Sequence, residues 1–298
     1  MNLPYTTYSE YLAGLFGPGK VQKISVNAGY GCPNRDGTIG RGGCTYCSNA
    51  SFTPGYCLEG DSSVAAQIAR GKEFFARKYP DMRYLAYFQS YTSTFTSRGD
   101  ELQRMYEEAL AQPGIVGLVI GTRPDCLPGN VLEVIGEFAR RVPVIVELGA
   151  ESSHDRTLRR VNRGHTWSRV EEAVATLRAA GARPGLHLIA GLPGEGEEEV
   201  LQTVERACAL AIDTIKMHQL QIIKGTPLHK QWLAGESDTE EWDVERYMRL
   251  CVKIIKQVPR RIAIERFLAS APPGMVASPS WGMKNHEFTA RLHRLLRP

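Results

Sequence analysis

The sequence has no apolar run that approaches the ~18–20 residues needed for a membrane-spanning helix. Its first residues contain no basic segment that leads into an apolar core, so no secretory signal is expected. Linkers, low-complexity runs and internal repeats are also missing, and the odd count of seven cysteines does not suggest a disulfide framework. These absences argue against a membrane protein and a disulfide-stapled secreted domain, and they predict a cytoplasmic, reducing location.

A large excess of basic or acidic residues is also missing, because the chain has 36 basic and 32 acidic residues and a net charge of only +4. Such a small excess permits nucleic-acid binding, but solubility alone explains it equally well. The basic residues nevertheless concentrate in two places. One group contains Arg156, Arg159, Arg160 and Arg163, and the other contains Lys284, His286, Arg291, His293, Arg294 and Arg297.

Short apolar segments alternate with amphipathic ones along most of the 298 residues. Strands are predicted at 21–28, 84–89, 115–121, 144–148, 186–190, 214–222 and 262–267. Helices are predicted at 8–16, from a cap at Asp61 or Ser62 to about residue 79, and at 100–111, 130–141, 168–180, 197–211 and 240–258. This alternation predicts an α/β fold with parallel strands and right-handed crossovers.

Six strand–helix units are too few for a closed eight-fold barrel, so an open, partial barrel is expected. The run Pro272-Pro273-Gly274 is expected to end the compact part of the chain. The predicted division is therefore a core with an N-terminal helix over 1–270 and a C-terminal extension over 271–298. Chemistry is expected in the loops that follow the carboxyl ends of the strands.

The most informative loop follows the first predicted strand and contains Cys32, Cys44 and Cys47, with eleven and two residues between them. The loop is rich in glycine and positively charged. Thiolates are soft ligands, and three of them can bind three irons of a cubane cluster and leave the fourth iron open to a substrate or cofactor. Cys57, Cys126, Cys208 and Cys251 are predicted not to be ligands.

Three other interpretations of this loop remain open at the level of sequence. A disulfide lacks both an even count and an oxidising compartment. A structural zinc site needs a fourth ligand, which Cys57 or a histidine would supply. The third interpretation is that the three cysteines are unrelated buried thiols that bind no metal.

The cysteine spacing and its surroundings resemble the radical SAM (S-adenosylmethionine) superfamily, in which an aromatic residue, here Tyr46, precedes the last cysteine. The eleven-residue gap resembles the branch that contains the Elongator catalytic subunit, and the run from Val26 to Cys47 resembles the bacterial YhcC-like family. The resemblance implies the partial (β/α)6 TIM-type barrel of the radical SAM core. It also implies a 4Fe-4S cluster and SAM, whose one-electron cleavage produces a 5′-deoxyadenosyl radical that abstracts hydrogen from the substrate.

The resemblance also implies contacts to SAM. Gln89 and Ser90 occupy the position where the family often has a Gly-Gly-Glu motif that hydrogen-bonds the SAM amino group. The alternative is that they are only polar residues at the end of a strand. Glu151 is implied as the acceptor for the ribose hydroxyls, and Arg163 as the partner of the SAM carboxylate. Gly191, in a Gly-Leu-Pro-Gly segment, would let the backbone approach the adenine.

Three further residues are expected to act on the substrate. Arg123 and Asp125 belong to a Thr-Arg-Pro-Asp run that is common in this branch, although Asp125 could instead cap a helix and Arg123 could be a surface residue. Gln219 follows the sixth predicted strand. Other candidates for the barrel lumen are His187, His218 and Gln221.

The family resemblance implies tRNA as the substrate, with the wobble uridine as the modified base, and an external electron donor such as flavodoxin or ferredoxin. The basic tail from Lys284 to Arg297 fits phosphate binding if it is a helix. Arg291, Arg294 and Arg297 would then share one side, and Leu292, Leu295 and Leu296 would dock the other. The alternatives are a radical SAM enzyme for a small metabolite and a zinc-stabilised RNA-binding protein without catalysis.

Overall fold

The computed structural model describes residues 3–76, 82–96, 98–269 and 271–296. The strands are β1 (Thr6–Thr7), β2 (Val21–Val26), β3 (Arg83–Phe88), β4 (Ile115–Thr122), β5 (Val144–Glu151), β6 (Arg183–Ala190), β7 (Thr214–Gln219), β8 (Ile222–Ile223), β9 (Ala263–Ile264) and β10 (Val276–Ser278). The α-helices are α1 (Tyr8–Phe16), α2 (Pro33–Asp36), α3 (Val64–Ala76), α4 (Gly99–Leu110), α5 (Gly129–Ala139), α6 (Asp155–Arg160), α7 (Trp167–Ala179), α8 (Glu197–Cys208), α9 (Pro227–Leu233), α10 (Val244–Gln257) and α11 (Asn285–Leu295).

One parallel sheet contains eight strands in the order β1-β9-β7-β6-β5-β4-β3-β2. If it were flat, the six steps from β9 to β2 would place those strands about 29 Å apart, at ~4.8 Å for each step. Lys23 Nζ on β2 instead lies 2.6 Å from Glu265 Oε2, directly after β9. The sheet is therefore curled around a lumen, and the predicted α/β partial barrel is confirmed.

The two ends of the lumen differ in chemistry. Near the starts of the strands, Leu12 of α1 packs with Leu85, Val119 and Ile145, which fill the lumen with apolar side chains. A capping box fixes the start of α1, because Glu10 N donates to Thr7 Oγ1 at 3.2 Å and the Glu10 carboxylate accepts from Thr7 N at 2.7 Å. The remaining lumen, toward the carboxyl ends, is polar.

The main hydrophobic core lies between the sheet and the helices on its outer face. The strand β4 illustrates why its sequence is almost continuously apolar: Leu118 and Ile120 face the helices, whereas Val119 faces the lumen cluster. Both faces of the strand are therefore covered, and alternation with polar residues would leave polar groups buried.

Several predicted boundaries differ from the structure. The strand predicted at 214–222 ends at Gln219, and β8 pairs antiparallel with β10 in a separate two-stranded sheet. The helix predicted from residue 240 begins at Val244, because Asp243 Oδ1 accepts from Arg246 N at 2.7 Å and caps it there. The last predicted strand, 262–267, is reduced to Ala263–Ile264, and the short helices α6 and α9 were not predicted.

The predicted cap of α3 was wrong by one or two residues. Ser63 Oγ accepts from Ala66 N at 3.3 Å, whereas Asp61 Oδ1 accepts from the Ser63 backbone N–H at 2.8 Å and so sets up the turn before the helix. The predicted end of that helix at residue 79 lies outside the described residues.

The tail forms the predicted helix, and its docking face is partly as predicted. Phe288 and Leu292 of α11 are fully buried, and the Phe288 ring lies 5.7 Å from that of Tyr247 on α10. Leu295 was predicted to dock but is 54% exposed, because the contact with α10 is narrower than the apolar stripe. Arg297 lies outside the described residues, and the division at residue 270 stays a prediction. In the described part of the chain, no helix has both the length and the apolar character needed to cross a membrane.

Candidate active site

A cavity of about 1420 Å³ occupies the polar half of the lumen and opens at the carboxyl ends of the strands. Nine of the twelve residues predicted to be functional line it. They are Cys32, Cys44, Tyr46, Cys47, Gln89, Arg123, Glu151, Arg163 and Gln219. Ser90, Asp125 and Gly191 lie outside its lining.

The cysteine loop is held at the mouth by its own backbone and side chains. Gly42 and Gly43, directly before Cys44, have φ angles of 80° and 79°, which a residue with a side chain rarely adopts. Cys47 N donates to Cys44 O at 3.0 Å, and Arg35 Nη2 donates to Cys47 O at 2.8 Å. These features hold Cys44 and Cys47 in place, and all three thiols line the same cavity.

All seven cysteines are free thiols, so the disulfide interpretation has no support. Burial and the neighbouring Cys44 raise the pKa of Cys47 to about 11, although Arg35 opposes this. A bound iron would supply the positive charge that stabilises the thiolate. The three thiols thus offer the soft donor atoms of a metal centre.

The structure argues against Cys57 as the fourth ligand of a structural zinc site. Cys57, the proposed fourth zinc ligand, donates to Ser25 O at 3.3 Å and does not line the cavity.

Arg163 and Glu151 form a buried pair beside the cysteines. Arg163 Nη2 lies 3.2 Å from Glu151 Oε1, and Arg163 Nη1 lies 3.6 Å from Cys44 Sγ. Arg163 Nε is buried without a hydrogen-bond partner in the described chain. Glu151 has a φ of 67°, a strained backbone of the kind that clusters at functional sites.

Gly149 explains why this pair is so close to the strand. A Cβ at residue 149 would overlap the Arg163 guanidinium and lie 2.7 Å from Glu151 Oε1. The absence of a side chain therefore makes room for both groups at the end of β5.

Arg123 and Asp125 act together, and only the arginine reaches the cavity. Arg123 Nε and Nη2 donate to the two oxygens of Asp125 at 2.8 and 2.7 Å, and Nη2 also donates to Arg163 O at 2.8 Å. Burial alone would raise the pKa of Asp125, but the hydrogen bond and charge of Arg123 keep it below its ordinary value. Asp125 does not cap α5, which begins after Pro128. Arg123 Nη1 is buried and without a partner among the described residues.

Two of the predicted residues near the mouth occupy different environments. Gln89 Nε2 donates to Ser25 Oγ at 2.7 Å and to Phe52 O at 3.0 Å, which turns the amide toward the cavity. Ser90 is 1% exposed, and its Oγ lies 3.5 Å from Thr53 Oγ1, behind the lining.

The other predicted residues are similarly divided. Tyr46 lines the cavity with a buried hydroxyl that has no partner in the described chain. Gln219 lines the cavity, although its Oε1 accepts from Ala269 N at 2.7 Å. Gly191 has a φ of 85° and lies beside Trp242 in a small separate cavity.

A network of charged residues deeper in the lumen was not predicted. Lys216 Nζ lies 3.1 Å from both Glu147 Oε2 and Glu265 Oε1, and Lys23 Nζ binds the other oxygens of the same carboxylates. Tyr87 OH and His187 Nε2 each lie 2.7 Å from Glu147 Oε2. His187 was predicted to reach the lumen, and its position there agrees with that prediction.

Glu147 is 2% exposed, and its charged partners determine its pKa. Burial would raise its pKa, but the charges of Lys216 and Lys23 hold it well below the ordinary range. Part of the signal was present in the sequence, because Lys23, Glu147 and Lys216 are charged residues inside predicted strands. Their partners could not be assigned without the tertiary structure.

Comparison with known proteins agrees with this geometry. The model of the Radical SAM superfamily matches residues 26–207, and that of the Radical_SAM C-terminal domain matches residues 212–297. Protein YhcC of Escherichia coli is 42% identical over 263 residues, which cover 88% of this chain and 82% of YhcC. The tRNA uridine(34) acetyltransferase of Dehalococcoides mccartyi is 30% identical over 56% of this chain, but this chain spans only 36% of that protein.

Among solved structures, the archaeal Elp3 of Methanocaldococcus infernus has the same fold, with a TM-score of 0.67 at 17% identity over 93% of this chain and 63% of that one. Three thiols around one cavity, and a buried guanidinium with one nitrogen that has no partner among the described residues, fit an iron–sulfur cluster and an anionic cofactor. The chain therefore belongs to the radical SAM superfamily, is similar to YhcC and to the Elongator branch, and uses the 4Fe-4S cluster and S-adenosylmethionine of that family.

Proposed function

We propose that this radical SAM enzyme modifies the wobble uridine of tRNA. The observation that carries the proposal is the cavity of about 1420 Å³, which joins the cysteine loop to a polar lumen. Its volume of about 1420 Å³ exceeds the ~300–1000 Å³ typical of small-molecule sites. The cavity therefore has room for a splayed nucleotide in addition to the cofactor.

The proposed ligands of the cluster are Cys32, Cys44 and Cys47. When bound, the cluster and SAM supply one-electron cleavage of a carbon–sulfur bond and hydrogen-atom abstraction from the substrate. The chain itself binds, orients and excludes water. Arg163 is proposed to bind the SAM carboxylate, since guanidinium and carboxylate form a charge-assisted pair. Glu151 is proposed to accept from the ribose hydroxyls.

The other proposed SAM contacts are ranked by their access to the cavity. Gln89 and Tyr46 line it, and their amide oxygen and hydroxyl are proposed to meet the amino group and the adenosyl part of SAM. Ser90 and Gly191 lie outside the lining and are proposed to support it: Ser90 through Thr53, and Gly191 by shaping the turn after β6.

Arg123, Asp125 and Gln219 are proposed to hold the substrate. Arg123 offers the cavity a buried Nη1 that no described group satisfies, while Asp125 fixes the other side of its guanidinium. Gln219 has its oxygen bound to Ala269 N, so its amide N–H groups are the ones available to a substrate carbonyl.

The mouth of the cavity has the residue types that bind single-stranded bases. Tyr91 and Phe52 are 41% and 42% exposed, and the Arg35 guanidinium lies 5.9 Å from the centre of the Tyr91 ring. Aromatic rings and arginine planes stack on unpaired bases, which are the usual targets of sequence-specific RNA recognition. An anticodon base is a target of this kind.

One relative supports tRNA over a small metabolite, because it is named a tRNA uridine(34) acetyltransferase. This chain spans only 36% of that protein, so its whole activity does not transfer to this chain. The proposal takes from it the substrate class only.

The proposal includes an external one-electron donor, flavodoxin or ferredoxin, and a cytoplasmic location. Seven free thiols and a thiolate-bound cluster support a reducing compartment. A small redox protein would reach the cluster from the exposed side of the loop around Arg35 and Arg41.

The decisive experiment uses protein that has been purified anaerobically and reconstituted with iron and sulfide. Iron and acid-labile sulfide are measured first, and zinc in their place would contradict the cluster. SAM cleavage is then followed with tRNA from a strain that lacks this gene, with the same tRNA after nuclease digestion, and without RNA. Mass spectrometry of the tRNA nucleosides should show a changed wobble uridine only with intact tRNA. If intact tRNA yields no changed nucleoside, the substrate proposal is wrong.

A further inference from the structure

Arg266 is an unusual cation on the inner wall of the cavity, directly after β9. Its Nη2 lies 3.4 Å from His218 Nε2, a long hydrogen bond to a neutral partner. Its Nε is buried and has no hydrogen-bond partner in the described chain. Its backbone carbonyl accepts from Met217 N at 3.0 Å, so the side chain starts from a fixed position.

Each of the other lysines and arginines that line the cavity has a carboxylate or a backbone carbonyl as a partner. The paired groups are Lys23 and Lys216 with Glu147 and Glu265, Arg123 with Asp125, and Arg163 with Glu151. At the mouth, Arg35 donates to Cys47 O, and Arg70 donates to Tyr56 O and Asp61 O. Among the described residues, no carboxylate is paired with Arg266.

The two neighbouring histidines do not balance this charge. His187 and His218 lie 5.4 Å apart, ring centre to ring centre. Burial lowers the pKa of His187, as does the charge of Lys216. Burial and the charge of Arg266 hold the pKa of His218 well below its ordinary value. Both rings are neutral near pH 7, so the inner wall carries one unbalanced positive charge.

An unbalanced charge on a partly buried side chain is costly unless an anion pairs with it. We propose that Arg266 binds an oxyanion of the substrate, a phosphate or a carboxylate, and thereby places the substrate in the cavity that the three cysteines line. A guanidinium suits this role because its planar fork matches both oxyanions. The inference rests on the proposed function in one respect only: the substrate enters this cavity. A nucleotide of tRNA would supply phosphate, and a small metabolite would supply carboxylate.

The test measures ligand binding by anaerobic equilibrium dialysis of the reconstituted holoprotein with saturating SAM, which covers the cluster and Arg163. Each charged probe has a neutral twin: uridine 5′-monophosphate is compared with uridine, and propionate with propionamide. Arg266→Gln removes the charge, and Arg266→Lys keeps it without the fork. Arg249→Gln, on the exposed side of α10, is the matched control.

We expect one charged probe to bind more tightly than its neutral twin in the parent and in Arg249→Gln. Arg266→Gln should weaken that probe about tenfold to hundredfold and leave the neutral twin unchanged. Arg266→Lys should fall between the two. The probe that responds identifies the source of the oxyanion as phosphate or carboxylate.

Equal binding of both charged probes and their twins in the parent would overturn the proposal, and so would unchanged binding in Arg266→Gln. Thermal unfolding shows whether Arg266→Gln folds; if it does not, the same comparison in Arg266→Lys decides. The wobble-uridine assay is read separately. A responding charged probe with no changed nucleoside would contradict tRNA as the substrate and leave the oxyanion site intact. A changed nucleoside with unaltered probe binding in Arg266→Gln would support tRNA as the substrate and contradict the oxyanion site.

Discussion

The guanidinium of Arg163 contacts the sulfur of Cys44, with Nη1 3.6 Å from Sγ, although 119 positions separate the two residues in sequence. The same guanidinium lies 3.2 Å from the carboxylate of Glu151. A proposed cluster ligand, a proposed partner of the SAM carboxylate and a proposed ribose acceptor thus form one contiguous set. A change in any of them is expected to affect its neighbours, so experiments should measure iron content and SAM affinity separately.

The first prediction concerns the cluster. Single changes to Ala at Cys32, Cys44 and Cys47 should each abolish the brown chromophore and most of the bound iron, because a cubane with two protein ligands is poorly held. Iron per chain and the visible spectrum after anaerobic reconstitution are the measurements. Cys57→Ala and Cys208→Ala are matched controls that should retain both. Full iron in Cys44→Ala would contradict the assignment.

The second prediction concerns Arg163. Arg163→Ala should lower SAM affinity about tenfold to hundredfold, because it removes a charge-assisted pair worth roughly 1.5–3 kcal/mol. Calorimetry on reconstituted protein is the measurement, corrected for iron content because Arg163 also contacts Cys44. Arg159→Ala, on the exposed face of α6, should bind SAM like the parent. Unchanged affinity in Arg163→Ala would show that the guanidinium serves the fold alone.

The third prediction uses Gly149. Gly149→Ala should weaken SAM binding without removing any functional group, because the added Cβ displaces the Arg163 guanidinium and the Glu151 carboxylate. Gly129→Ala is the matched control, since a Cβ there meets nothing within 4 Å. The SAM dissociation constants of the two variants are compared. Equal values would mean that the pair moves freely and is not preorganised.

The fourth prediction concerns the buried network. Glu147→Gln should destabilise the fold by roughly 3–5 kcal/mol at neutral pH, because it leaves Lys23 and Lys216 with only one carboxylate. The parent's Glu147 has a folded pKa well below 4.5, so its contribution is fully present above pH 4.5 and is lost as the pH falls through the folded pKa. The difference between the unfolding free energies of parent and variant, called the gap below, should therefore become smaller in acid.

Urea unfolding of both proteins without cluster, at neutral pH and at steps below pH 4.5, measures that gap. Glu172→Gln is the control, because its carboxylate is 62% exposed and its pair with Arg169 contributes little. A gap that stays constant in acid would show that Glu147 is not ionised in the folded protein.

The fifth prediction concerns the tail and tRNA. Arg294 is exposed, whereas Arg291 forms an ion pair with Glu245. If α11 contacts RNA phosphates, Arg294→Gln should flatten the dependence of log affinity on log salt by about one unit. Arg291→Gln should change it less, because Glu245 already neutralises that charge. Filter binding across a salt series is the measurement. Identical slopes in the parent and in both variants would leave α11 as an ordinary terminal helix.

Much of the site was predictable because its signals are local in sequence. The cysteine spacing, Tyr46 and the glycines around them act within one loop, and the structure places all three thiols at one cavity. Glu151 and Arg163 were predicted as separate SAM contacts, and their pairing was not foreseen. The roles of the three cysteines as cluster ligands, and of Glu151 and Arg163 as SAM contacts, stay predictions.

The errors came from features that depend on distant parts of the chain. Strand periodicity continues through residues 220–222, yet β7 ends at Gln219 because β10 offers β8 another pairing partner. The apolar spacing of α11 includes Leu295, but only the width of the contact with α10 decides which leucines are covered. Neither partner is visible in the local pattern.

The order of strands and helices, the cysteine loop and the class of fold follow from short-range patterns, since hydrophobic periodicity and turn residues act over a few positions. The lumen network and the unbalanced Arg266 follow only from the closure of the sheet. Lys23, Glu147, Lys216 and Glu265 come from four strand segments, and curling brings them within hydrogen-bond distance. Charged residues on separate strands need each other as partners only when a common cavity removes them from water, because burial makes an unpaired charge costly.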